Sequence, residues 1–194
     1  MVLHNSQNKK FKKMRKTILA ICLIMGSASL FAQKLITRTG KVSFYSATSI
    51  ENIEAFNNEA SAGYDPSNGA LVFQLAIKSF KFEKQLMQDH FNDDYMESSK
   101  FPKSTFNGTV ADYSKVDLKK NGTYKVNVAG SLMIHGVTKK ITVPGTIEVK
   151  DNMATFHGTF NVATADYGIK IPSIAEGKIA KSIAVTVNAI LKPF

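Results

Sequence analysis

Three histidines, His90, His135 and His157, and a close group of carboxylates, Asp89, Asp93 and Asp94, are the residues beyond position 32 best suited to proton transfer or metal binding. Asp166 stands apart from them. A zinc-type centre needs three or four such ligands converging on one point. The histidines are far apart in sequence and no carboxylate spacing links them, so no metal site is expected. Glycoside hydrolysis needs two carboxyls facing each other across the scissile bond. Asp93 and Asp94 are neighbours whose side chains diverge, as on a solvated helix end. No G-x-S-x-G elbow, phosphate-cradling G-x-x-x-x-G-K-[ST] loop or dinucleotide G-x-G-x-x-G turn occurs. The chain is therefore expected to be no enzyme, with no catalytic residue and no cofactor.

The formal charge of +10 suggests nucleic acid until it is located. Six of the 25 basic residues precede position 17 and no acidic residue precedes position 33, so removing residues 1–32 lowers the net charge to +4. The remainder lacks the aromatic-and-basic face of a nucleic-acid binder. Residues 1–32 have the three parts of a secretory signal: a basic stretch ending at Lys16, an apolar stretch from Ile18 to Met25, and the small residues Gly26-Ser27-Ala28-Ser29. Cleavage is expected after Ala32, with Ala28 as the alternative. The apolar stretch falls short of the roughly 20 residues of a spanning helix. Cys22, the only cysteine, follows a bulky Ile21 where a lipoprotein signal wants a small residue. The expected organisation is a signal peptide at 1–32 and one domain at 33–194, periplasmic or secreted.

The elements of that domain alternate with period two. Tyr124, Val126, Val128, Gly130, Leu132 and Ile134 share one face; Ile141, Val143, Gly145, Ile147 and Val149 repeat the pattern. Phe156, Gly158, Phe160 and Val162 continue it, as do Ile183, Val185, Val187, Ala189 and Leu191, and earlier Leu71, Phe73, Leu75 and Ile77. Turn signals at Asp65–Gly69, Lys120–Gly122, His135–Thr138 and Lys150–Asn152 join antiparallel neighbours. Asn107-Gly108 and Asn121-Gly122, which also fit the glycosylation pattern, are expected to be turns. Strands are predicted over 36–47, 53–64, 69–80, 104–118, 122–134, 139–149, 153–162 and 182–192, with a helix as the alternative for 51–62. Lys84 to Tyr95 breaks the rhythm: Leu86, Met87 and Phe91 form a short helical stripe, and Pro102 ends it. The connection 164–181 either borders an opening or is a plain loop.

A sheet with one dry face must bury that face, and one short helix cannot cover eight strands. The expected fold is all-β: an antiparallel up-and-down barrel of about eight strands with one short helix near a mouth. Such a barrel either fills with side chains or holds one ligand. Gly130, Gly145, Gly158 and Ala189 at inward positions leave space on one reading and relieve strain at bends on the other. An apolar tail burying on the order of 500 Å² would gain roughly 12 kcal/mol gross, less the costs of association. The candidate lining is Phe73, Leu75, Val126, Val128, Leu132, Phe156 and Phe160, with Leu86, Met87, Phe91 and Phe101 near the mouth. His90 is expected to anchor the helix to the rim, and His135 to fix the Gly136 turn. Lys119-Lys120 with Lys139-Lys140 form a weak basic stretch that would touch an anionic membrane surface, or simply keep edges soluble.

Four segments in order resemble the YceI-like family: Met87-Gln88-Asp89-His90-Phe91, Phe101 to Phe106, Gly130 to Lys139, and Phe160 with Tyr167-Gly168-Ile169. The similarity covers roughly residues 40–190; Ile53–Ala60 departs from it, lacking the family's first-hairpin glycine. The resemblance implies a lipocalin-like barrel, exported, that binds a polyisoprenoid or other long-chain lipid without catalysis. The alternative function is a structural or stress-related surface barrel with a filled core and a protein partner.

Overall fold

The structure is a computed structural model and describes residues 33–194; the expected signal peptide lies outside the described residues. Nine strands follow one another: β1 (Leu35–Ala47), β2 (Asn52–Asp65), β3 (Ala70–Ala76), β4 (Lys81–Phe82), β5 (Lys103–Val110), β6 (Gly122–Ile134), β7 (Val137–Lys150), β8 (Met153–Ala163) and β9 (Ser182–Pro193). The order β1-β9-β8-β7-β6-β5-β3-β2 is closed by pairing of β1 with β2, which makes an antiparallel eight-stranded barrel. The two-residue β4 pairs with the start of β2.

Short turns set this topology. His135 and Gly136 have φ of 51° and 74°, and Asp151 and Asn152 have 52° and 62°. Two successive left-handed residues make the turn whose twist matches the flanking strands. The segment with a helical alternative, 51–62, is strand from Asn52 onward. Asn107-Gly108 is not a turn: it lies inside β5, with Asn107 opposite Val72 on one side and Ser131 on the other.

Two predicted strands are shorter than their patterns. The third stops at Ala76, because Ile77–Ser79 turn in a 3-10 helix that buries Ile77 and Phe80. The fourth stops at Val110, because Asp112 is left-handed (φ 55°) and Tyr113–Lys115 begin a loop. That loop tucks Val116 against the barrel's lower core, with Tyr113 and Leu118 packed beside it.

The interior has two levels. The lower level, beside the start of β1, the end of β9 and loop 111–121, is a packed core that includes Leu35, Tyr64, Ile147, Val149, Ala154 and Leu191, all nearly inaccessible. In the upper level two smaller clusters sit at the wall. One joins Val42, Ala55, Ala60 and Phe80; the other joins Leu132, Val162 and Tyr167.

The inward glycines do not open space. A Cβ on Gly130 would stand 2.5 Å from the Asn107 carbonyl oxygen and 2.6 Å from the Phe106 ring. On Gly158 it would meet the Phe156 ring at 3.0 Å, and on Gly145 the His157 carbonyl. These residues permit close strand approach and let a ring lie over the backbone, the strain-relief reading of the pattern.

Candidate functional site

Above the packed core the barrel encloses a cavity of about 560 Å³. Its floor is where the two levels meet: Leu71, Val128 and Phe156 belong to the lower core and also face the cavity. Phe73 rests on Phe156 there, with ring centroids 5.8 Å apart. The walls are apolar residues of β1, β3, β6, β8 and β9, among them Phe44, Leu75, Leu132, Phe160 and Val185. The acidic and basic lining residues, Glu51, Lys84, His90 and Lys178, all come from the segments around the mouth.

A short helix, α1 (Gln85–His90), covers one side of that mouth and runs on as a wider turn through Phe91–Tyr95. Phe91 fastens it. The Phe91 ring lies 5.1 Å from Phe82, 5.5 Å from Phe80 and 5.5 Å from Phe44, and such aromatic contacts add to the area they bury. His90 does not anchor the helix: its Nδ1 bonds Asp94 Oδ2 one turn along at 2.6 Å, while its ring borders the cavity. Leu86 lines the mouth and stays largely exposed.

Nine of the eleven sequence-predicted lining residues face the cavity: Phe73, Leu75, Leu86, Met87, Phe91, Val128, Leu132, Phe156 and Phe160. Val126 does not. It points inward but sits two residues below Val128, roughly 7 Å along the strand, within the packed core. Phe101 does not either; its ring packs edge-on against His135 at 4.4 Å and beneath Gly136, with Lys100 Nζ 4.8 Å from its face. Several lining residues were missed, notably Val42 and Phe44 of β1, Ile183, Val185 and Val187 of β9, and Ile169, Ile171 and Ile179 of the long connection. The period-two pattern marked the β9 residues as inward but gave no height for them. Nothing periodic marks Ile169 to Ile179.

His135 does more than fix a turn. Its Nε2 bonds Glu97 Oε2 at 2.9 Å and its Nδ1 bonds the Tyr167 carbonyl at 3.2 Å, so one ring joins three connections at the mouth end. Glu97, whose carboxylate takes part in that link, is left-handed, with φ 42°. Burial, and then Asp166 beside it, pushes the Tyr167 phenol above its ordinary pKa. His157 lies on the outer face of β8. Among the described residues no three metal-ligating side chains converge. Lys119-Lys120 and Lys139-Lys140 do not form one patch, since β6 runs the length of the barrel between them.

At the opposite end, Tyr64 is buried beneath the floor with no partner for its hydroxyl. Burial, then the charge of Asp65 and the neighbouring Tyr113, raises its pKa to about 12. Asp65 itself is held below the usual carboxylate range, first by the Ser67 hydroxyl and backbone N–H and then by Lys34.

A model of the YceI-like domain matches residues 34–191, nearly the whole described region. The chain belongs to the YceI-like family. The UPF0312 proteins of Pseudomonas savastanoi and Pseudomonas syringae are 34% identical over 85 residues. That match covers 41% of this chain and 41% of each relative, so it spans less than half the length of these curated proteins. Among solved structures, a polyisoprenoid binding domain from Saccharophagus degradans implicated in plant cell wall breakdown has a TM-score of 0.74 at 14% identity, covering 84% of this chain and 99% of that one. BcnA of Burkholderia cenocepacia has a TM-score of 0.64 at 21% identity, over 78% of this chain and 95% of its own. The YCEI protein of Campylobacter jejuni gives 0.57 at 22%, over 74% and 86%. At such identities the likeness is one of fold: this YceI-like chain shares the barrel of all three.

Proposed function

We propose that this chain is an exported carrier that holds a polyisoprenoid or similar long apolar chain in the upper barrel and catalyses no reaction. One observation carries the reading: an apolar cavity stands above a packed floor, with its charged residues confined to the mouth. Such a cavity suits a ligand with an apolar tail and one polar end. The Saccharophagus degradans domain of the same fold, which binds polyisoprenoid by its description, supports that ligand class. The three-part segment at residues 1–32 supports export to the periplasm or the medium. A structural or stress-related surface barrel with a filled core and a protein partner draws on the lower level alone; the hollow upper level argues against it.

The test is to purify the chain from an exporting host, extract it with organic solvent and analyse the extract by mass spectrometry. A co-purified isoprenoid or other long-chain lipid is expected. Repeated absence of any such lipid, together with no uptake of a lipophilic dye, contradicts the proposal.

A further inference from the structure

The barrel wall is divided in its upper half. The β6–β7 ladder runs unbroken to Ile134↔Val137 and the β8–β9 ladder to Ala163↔Ser182. Between them, β7 and β8 pair only from Lys150↔Met153 up to Gly145↔Gly158. Above that point Val137–Pro144 and Thr159–Ala163 share no ladder. Pro144, which has no N–H to offer, stands at the first step of the divergence. Val143 on one side of the slot, and Phe160 and Val162 on the other, line the cavity, so the slot leads directly into it.

What closes the slot is the start of the long connection. Residues 164–167 form a 3-10 turn against β7 and β8, with Tyr167 only 3% exposed and packed with Leu132 and Val162. Ile169 joins the same cluster beside Val137 and Ile141. His135 holds this strap through the Tyr167 carbonyl and ties it to Glu97. Both acceptors are engaged together when both ring nitrogens carry hydrogen.

β2 and β3 also separate, above Ser61↔Gln74, but that second gap is sealed differently. There β4 pairs with β2, Asn57 Nδ2 donates to the Ala76 carbonyl at 2.9 Å, and the Phe44, Phe80, Phe82 and Phe91 rings pack together. The strap has one buried aromatic and few tethers, so of the two seals it opens at lower cost.

We infer that residues 164–169 are a lateral gate, and that an apolar chain enters and leaves through the slot between β7 and β8 when the His135 latch releases. This rests on the carrier reading and adds the route. Neither His135 nor Tyr167 lines the cavity, so weakening the strap speeds passage in both directions without removing a ligand contact.

The test is stopped-flow binding and release of 11-(dansylamino)undecanoic acid by the wild-type chain and by His135→Ala, Tyr167→Ser and Gln85→Ala, each checked for native circular dichroism. In His135→Ala the association and dissociation rate constants both rise about fivefold, the scale of one net hydrogen bond, with Kd within twofold of wild type. Tyr167→Ser, which opens the slot, goes at least as far. Gln85→Ala, on the same helix beside the mouth but exposed and outside the cavity lining, leaves both rates near wild type. Should Tyr167→Ser not fold, hydrogen exchange of 164–169 against 85–95 in His135→Ala reads the same latch: faster exchange confined to 164–169 supports it. Unchanged rates in folded His135→Ala and Tyr167→Ser, or a larger response to Gln85→Ala, overturn the gate while leaving the carrier intact. Failure of the wild-type chain to bind the probe at all overturns both.

Discussion

The lower and upper halves of this barrel are built from the same strands and the same alternation, yet one is solid and the other hollow. Below the floor, Leu35, Tyr64, Ile147, Val149 and Leu191 converge over a loop that adds Val116 from beneath. Above it, similar residues on the same strands, such as Val185 on β9 and Leu132 on β6, face a cavity of about 560 Å³. Inward-pointing apolar residues are therefore not sufficient to fill a barrel. Filling depends on whether the strands stay laddered and whether a loop closes the end. The lower ends stay laddered except beside Gly122–Asn127, beyond the end of β5, where loop 111–121 packs Val116 and Leu118 against the core; the upper strands diverge at β7–β8 and β2–β3.

Truncations separate the halves most strongly. Ile147→Ala, in the packed half, is expected to lower unfolding free energy by about 2–5 kcal/mol in urea denaturation. Leu75→Ala, on the cavity wall, is expected to cost less than half as much, because its side chain already borders empty space. Equal losses would mean the halves are packed alike.

Enlargements invert the test. Ala154→Phe, at a position with no accessible surface, should destabilise by about 1–3 kcal/mol through overpacking. Val185→Phe should change stability by less than about 1 kcal/mol, because the ring projects into the cavity, while dye uptake falls. Gly130→Ala probes the seam between the halves. Its Cβ would press on the rigid Asn107 carbonyl, with a loss of about 1–3 kcal/mol by the same assay.

The smallest expected effect is electrostatic and is read at Tyr64 in the lower half. The Tyr64 phenol ionises near 10 when unfolded and at about 12 when folded. Between those values the unfolded chain binds fewer protons, so this contribution to stability is complete below pH 10 and is lost as pH rises through 12. Tyr64→Phe should remove that part of the alkaline slope and, by deleting a buried hydroxyl with no partner, leave neutral-pH stability unchanged or slightly higher. An unaltered slope would show that Tyr64 is not the group responsible.

The eight barrel strands were legible because alternation reports which way a side chain points. It does not report height. Val126 and Val128 are indistinguishable by pattern, and only the register against Gly145 and Val143 places one in the core and the other at the floor. Phe101 carried the composition of a lining residue, but the His135-Gly136 turn lies over it, a tertiary contact with no period. The strap was legible only as a long connection, because Tyr167 and Ile169 act as single wedges. The glycines left two readings open for a simple reason: an absent side chain marks either space or close approach, and here Phe106 and Phe156 occupy what the glycines leave.

The claim that the upper half alone receives an apolar chain has a direct optical test, because the protein contains no tryptophan. Phe160→Trp places a reporter on the cavity wall, and Tyr124→Trp places one in the lower core. Titration with a brominated long-chain fatty acid, whose bromines quench indole on contact, should extinguish the first saturably and leave the second bright. Equal quenching of both, or of neither, would contradict the account.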